Sequence, residues 1–238
     1  MPERYASLKQ GLVGCWIPSV SGSGLLLPDV SGRGNHGTLT NMASDDWVSA
    51  QYGRALDFDG TDDYVQNSVK FYGIGAIAFW VKTATEIGAA VSFGTTASSG
   101  NLMLVALGQN IAGSLNDELI TVATLATSAR IEGYTTANRN ELLDNKWHHV
   151  CISQPASNAS YEIYLDGSKK TTTVGDASLT TFGIGSATGD VMQFGSRRFN
   201  ATQGAYLNGQ LDDIRLYSRA LSESEIRLLF ESKRGKYL

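Results

Sequence analysis

Between Tyr161 and Leu165 the chain alternates strictly. Tyr161, Ile163 and Leu165 fall on one face and Glu162 and Tyr164 on the other, the two-residue period of a half-buried strand. Asp166 and Gly167 follow, a pair suited to a type I′ turn in which both central residues need positive φ, so a return strand is predicted over Lys169–Thr173. Comparable short runs recur at Leu12–Ile17, Ala55–Phe58, Tyr64–Gln66, Ala89–Phe93, Leu102–Leu107, Leu119–Leu125, Ala129–Tyr134, Trp147–Ser153, Val191–Gly195 and Leu207–Tyr217. Asp59–Asp62 reads as a hairpin turn joining two of them. Ile74–Thr83 differs, because Ala76–Val81 is apolar on both faces; such a strand is buried on both sides and central in its sheet. Residues 29–37 are loop by composition, and residues 174–190, rich in Gly, Ser and Thr, are expected to form a long exposed loop.

One segment near the end changes period. Ser222 and Glu225 stand at capping-box spacing, and Leu221 and Ile226 sit where a hydrophobic staple needs them. A helix is predicted over about 223–231, with Ile226, Leu229 and Phe230 inward and an exposed Glu223–Arg227 pair. No repeat or linker divides the chain, so a lead segment, 1–10, is followed by a single domain, 11–238, with Tyr5 and Leu8 on one helical turn of the lead. The fold class expected is all-β: a two-sheet antiparallel sandwich with one short C-terminal helix.

Composition sharpens this picture. The 238 residues include 26 glycines against 4 prolines and only 18% charged residues, which fits many short strands joined by tight turns. Net charge is −4, and the basic pairs Lys169-Lys170, Arg197-Arg198 and Lys233-Arg234 stand apart, which argues against nucleic acid as a partner. The first ten residues lack an apolar core of signal-peptide length and no run reaches the length of a membrane span, so membrane insertion is not expected. Either a leader has been removed or the protein is made and used inside a cell, the reading Met1 favours. Cys15 and Cys151 each lie inside an apolar run and read as two buried thiols, with a disulfide between neighbouring strands left open.

Several phrases together resemble laminin-G-like modules, the concanavalin A-like jelly rolls. They are Gly11–Gly14 with Trp16, Asp29–Thr40, Ala55–Val65, Lys146–Val150, Tyr164–Gly167, Gly209–Tyr217 and Arg219–Ile226. The resemblance runs from about Gly11 to Phe230, although residues 84–135 carry no family motif. It implies a jelly roll whose first and last strands pair. It also implies a module that binds rather than catalyses, of the stand-alone type seen in decoration, head-fibre or tail proteins of tailed phages. Its expected place is then a virion, with virion proteins or surface glycans as partners and homo-oligomerisation left open. The alternative is a secreted or cell-surface carbohydrate-binding lectin module, and a glycan-cleaving jelly-roll enzyme is the least favoured reading.

The most chemical candidate is a calcium site built from Asp29, Asn35 and one of Asp212 or Asp213. Calcium is a hard ion needing six to eight oxygens, and the glycine-rich loop of residues 32–35 could turn several carbonyls toward one point. Laminin-G-like modules often carry such a structural ion. Because successive strand residues point to opposite faces, only one of Asp212 and Asp213 is expected to face it. A second acidic group, Asp57, Asp59, Asp62 and Asp63, reads as a solvated hairpin end. His148 and His149 alternate faces, and with His36 as the only other histidine no three-histidine zinc site can be assembled. Glycoside hydrolysis needs two carboxylates flanking one bond, and no strand carries the alternating acidic pattern that would supply them. Among loop aromatics and their neighbours, Arg197, Arg198, Asn200 and Tyr206 form the most lectin-like rim, an aromatic face for a sugar ring beside hydroxyl-binding groups.

Overall fold

A computed structural model describes residues 6–20, 24–50, 53–67, 75–85, 88–95, 102–108, 120–126, 129–135, 141–154, 161–177, 190–199 and 202–237. In chain order the first strands are β1 (Leu12–Trp16), β2 (Leu26–Leu27), β3 (Gly37–Thr40), β4 (Trp47–Ser49), β5 (Arg54–Asp59) and β6 (Tyr64–Asn67). The middle of the chain supplies β7 (Ala76–Lys82), β8 (Gly88–Thr95), β9 (Leu102–Leu107), β10 (Ile120–Ala126), β11 (Ala129–Thr135), β12 (Trp147–Ser153) and β13 (Glu162–Leu165). Then come β14 (Ser168–Lys169), β15 (Thr173–Ala177), β16 (Asp190–Phe194), β17 (Arg197–Phe199), β18 (Thr202–Gly204), β19 (Asn208–Tyr217) and the helix α1 (Glu223–Tyr237).

All the strands but β17 and β18, which pair with each other as a separate ribbon, form two antiparallel sheets. One runs β14-β13-β12-β7-β19-β5-β4 with β1 added alongside β19, and the other runs β15-β11-β10-β9-β8-β16-β6-β3-β2. Their facing sides share one apolar cluster, to which Trp16, Phe58, Phe79, Val81, Met192, Phe194 and Leu211 belong, and Trp16 meets Phe194 edge-on at 4.9 Å. Burying this many large side chains, each contributing about 1.5–3 kcal/mol, is the main force closing the sandwich.

β7 is central, paired with β12 and β19, as its two-sided apolarity predicts. Its inward residues Ile77, Phe79 and Val81 join the core, while Ala76 and Ala78 face outward beneath the helix. Two alanines leave room for α1 to approach, and Ile226, Leu229 and Leu221 fill the space with Tyr164, Cys151 and Leu8. Phe230 stacks on Trp80 at 5.8 Å. The capping box forms: the Glu225 N–H donates to Ser222 Oγ at 3.3 Å and the Ser222 N–H to Glu225 Oε2 at 3.0 Å. The helix extends beyond the expected 231, and Arg227 pairs with Glu231 rather than Glu223, at 2.9 Å.

The chain closes as the resemblance implies. β1 runs antiparallel to β19, with Leu12 opposite Tyr217 and Trp16 opposite Ile214. Arg219 seals the junction, donating to the Ser7 and Gln10 carbonyls and holding Glu225 through two bonds of 2.9 and 2.7 Å.

Three local expectations are corrected. β5 and β6 do not pair as a hairpin: each lies in a different sheet, so Asp59–Asp63 is a corner carrying the chain from one layer to the other. Residues 174–177 of the expected loop belong instead to β15, paired with β11, and Asp190 opens β16; the remainder, 178–189, lies outside the described residues. The return strand expected over Lys169–Thr173 shortens to β14, Ser168–Lys169, while Trp47 is buried in β4 with its indole N–H on the Gly24 carbonyl at 3.0 Å. Asp166 and Gly167 take φ of 50° and 73°, the type I′ geometry their residue types predict. Cys15 and Cys151 are both buried and free.

Candidate functional site

Asp29 and Asn35 are brought together, but by hydrogen bonds. Asp29 Oδ1 accepts the Cys15 and Ser31 N–H groups at 2.9 and 2.8 Å; Oδ2 accepts the Ser31 hydroxyl at 2.8 Å and the Asn35 N–H at 2.9 Å. Burial opposes the charge, but these bonds outweigh it and hold the carboxyl below its ordinary range. Asn35 in turn stitches the loop to β1: its amide donates to the Val13 carbonyl and its own carbonyl accepts the Trp16 indole N–H, both at 2.8 Å. Four donors aimed at Asp29 occupy the positions a cation would need. This donor set does not fit a bound calcium ion.

Asp212 and Asp213 sit in a bulge of β19, where Asp213 adopts φ of 47° and the simple alternation of faces fails. The Asp212 carboxylate accepts the Asp213 N–H at 2.6 Å. Asp213 takes Arg215 Nε and Nη2 at 2.7 and 3.1 Å, with Lys233 of the helix at 4.0 Å. Burial raises the Asp213 pKa, but the Arg215 charge overrides it and keeps the carboxyl ionised below its ordinary range. Asp213 thus serves the seam between β19 and α1. At the sheet-to-sheet corner the carboxylates of Asp59, Asp62 and Asp63 lie within 4.8 Å of one another. Asp59 accepts the Thr61 N–H at 2.7 Å and Asp63 accepts the Asp59 N–H at 3.0 Å, so they fasten the corner.

Arg197 and Arg198 lie on the β17–β18 ribbon, which crosses the outer side of β8. A Cβ at Gly94 of β8 would overlap the Arg198 carbonyl, so glycine is what lets the ribbon settle there. Arg197 and Arg198 are both half-buried there, and neighbouring strand residues face opposite ways. Under the ribbon lies an amide network: Gln193 bonds Gln66 and Gln203, each at 2.9 Å, and Ser196 at 3.2 Å. Tyr206 is half-buried near Tyr64 and Asp62. Asn200 lies outside the described residues.

Sequence reasoning missed a polar cleft on the outer face of the helix-bearing sheet. Gln210 of β19 pairs laterally with Asp57 of β5 on one side and Lys82 of β7 on the other. Their strand neighbours Phe58, Val81 and Leu211 point into the core, so the three polar side chains stand abreast outside. Asn145 and Asn208 complete the lip of a cavity of about 160 Å³. Its wall is fixed by Thr83, whose hydroxyl donates to the Asn208 carbonyl at 2.7 Å. Gly209 is at the base: a Cβ there would stand 2.5 Å from the Lys82 carbonyl oxygen, so a side chain would force β19 and β7 apart. Burial raises the Asp57 pKa against the opposing bond from Gln210. The signal available was a polar residue in each of three apolar strands, but only their register puts 57, 82 and 210 side by side.

His148 and His149 do point to opposite faces. His149 is buried against Trp80 and Phe230, and its burial lowers its pKa to about 4. His148 bridges Asp144 and Asp166.

Comparison with solved structures finds the same fold at low identity. Domain 4 of AbnA, a GH43 extracellular arabinanase from Geobacillus stearothermophilus solved with arabinotriose, is 17% identical with a TM-score of 0.66, covering 92% of this chain and 97% of that one. The binding domain of Paraclostridial Mosquitocidal Protein 1 is 16% identical with a TM-score of 0.64, covering 94% and 53%. The binding domain of botulinum neurotoxin DC, in complex with SialylT, is 15% identical with a TM-score of 0.59, covering 94% and 52%. This chain therefore spans nearly all of the arabinanase domain and about half of the toxin domains. No curated protein matches the sequence. A model of the concanavalin A-like lectin/glucanases superfamily matches residues 59–227, well over half of the chain. The chain belongs to that superfamily, in its Laminin_G_3 family.

Proposed function

We propose that this protein is a non-catalytic glycan-binding module whose ligand enters the cleft at Asp57, Lys82 and Gln210. The observation that carries the reading is the row of three hydrogen-bonding side chains on adjacent strands, flanked by Asn145 and Asn208, around a space on the scale of one sugar ring. A sugar hydroxyl both donates and accepts, and carboxylate, amide and ammonium groups side by side meet both needs. The arabinotriose held by the arabinanase domain and the ligand of the toxin domain lend support by fold. Asp57 is the one carboxylate lining the cleft among the described residues, whereas glycoside hydrolysis needs two about 5–9 Å apart.

A glycan array followed by calorimetry tests this. Gln210→Ala and Asn208→Ala should each weaken binding about tenfold, the worth of one or two hydrogen bonds, while lowering the melting temperature by no more than a few degrees. Undiminished binding in both variants would overturn the assignment of the cleft. The virion setting is a separate proposal, supported by the phage-like phrase Asp29–Asn41. Immunoblotting of purified particles tests it, and absence of the chain from them refutes it.

A further inference from the structure

His148 on β12 is nearly enclosed, with Nδ1 2.8 Å from Asp166 Oδ2 and Nε2 3.0 Å from Asp144 Oδ1. Carboxylates only accept, and a neutral imidazole has one N–H to give; only the imidazolium satisfies both neighbours. Burial works against the charge, but the bonds to Asp166 and Asp144 and the attraction of both carboxylates prevail and raise the pKa above the ordinary 6.5. Among the described residues the charged groups facing the ring are Asp144 from the loop before β12 and Asp166 from the β13–β14 turn. Lys146 sits behind, 2.9 Å from Asp144 Oδ2.

Asn145 lies between Asp144 and Lys146. It adopts φ of 61°, donates its N–H to the Thr83 carbonyl at 3.0 Å and lines the cleft. Asp144 Oδ1 also accepts the Lys146 N–H at 2.9 Å, so the carboxylate held by His148 shapes the turn that presents Asn145. The far end of the same loop is tied by Glu141 to Lys170 at 2.5 Å.

We propose that His148 is a positioning residue for the cleft: as the cation it ties Asp144 to Asp166 and holds Asn145 at the lip, and its deprotonation loosens that hold. The inference rests on the cleft being a glycan site. Ligand affinity then falls as pH rises through the His148 pKa.

The test pairs two measurements on the full chain. The first follows the imidazole nitrogens of His148 and the amide of Asn145 by NMR between about pH 5.5 and 8.5, with no sugar present. The second measures arabinotriose affinity over the same range. Wild type should lose about three- to tenfold in affinity with rising pH, and the Asn145 amide should shift with the His148 titration. Asp166→Asn supplies the control. Its oxygen still takes the His149 N–H that Asp166 Oδ1 accepts at 2.9 Å, while its new amide N–H can donate to Nδ1 of a neutral ring that keeps Nε2–H on Asp144. Affinity in that variant should stay high and flat with pH. An Asn145 amide that ignores the His148 titration, or a wild-type affinity flat across the range, overturns the inference. If arabinotriose binds at no pH while Asn145 still follows His148, the coupling stands and the glycan reading of the cleft fails.

Discussion

Asp29→Ala separates a hydrogen-bonded loop from an ion site. The substitution removes the acceptor of four bonds, one of them from the Cys15 amide inside the β1 region, where water cannot replace it. Leaving that amide unpaired costs about 1–3 kcal/mol, and the three bonds at the loop surface add about 0.5–1 kcal/mol each. Part of this is recovered as the loop relaxes, so a net loss of about 3 kcal/mol is expected, or about 6–12 °C in melting temperature for a chain of this size. Calorimetry with and without EDTA reads it. Both wild type and Asp29→Ala should melt at the same temperature with or without chelator, with the variant lower throughout. The sign of the pH dependence follows from the depressed pKa: the carboxylate's contribution is full above its ordinary 3.8 and disappears as pH falls through the folded value, a loss the variant should lack. A wild type that loses several degrees in EDTA, matched by an Asp29→Ala variant that loses nothing more, would refute this reasoning and restore the calcium site.

Glu225→Ala should cost about 1–2 kcal/mol, since it removes both the helix cap and the anchor of Arg219. The Arg219 bonds hold the Glu225 pKa down to about 2, so this stability is present above 4.5 and lost as pH falls toward 2, which acid titration by circular dichroism would show. Neither thiol should react with Ellman's reagent in the native state, because burial pushes Cys15 up to about 11 and Cys151 further; two thiols should appear in urea. Gly94→Ala should destabilise by about 1–3 kcal/mol as the Arg198 carbonyl is pushed away, and a denaturant midpoint equal to wild type would contradict the seating of the ribbon.

The parts of the fold legible in the sequence are those fixed by neighbours along the chain. Alternation from Tyr161 to Leu165, the Asp166–Gly167 turn and the Ser222–Glu225 cap each carry their own geometry, and all three form. The corner at Asp59–Asp63 was not legible, because two alternating runs around a polar turn look alike whether the strands pair or part into separate layers. Nor was the cleft, since Asp57, Lys82 and Gln210 become neighbours only through pairings between distant strands. Asp29 shows a third kind of ambiguity. An acidic, glycine-rich loop reads the same whether its carboxylate turns toward amides or toward an ion. The bulge at Asp212–Asp213 breaks the alternation on which any guess about that pair depends.

Leu12 and Tyr217 stand opposite each other, and among the described residues β19 is the one strand to which β1 is laddered. Tension applied through those two residues would load the rungs one after another, like a zipper, rather than all together in shear. Arg219, gripping the Ser7 and Gln10 carbonyls just ahead of the first rung, is the clasp that such a pull would have to open first. A module built this way resists heat through its interior yet yields to a tug at its seam at low force.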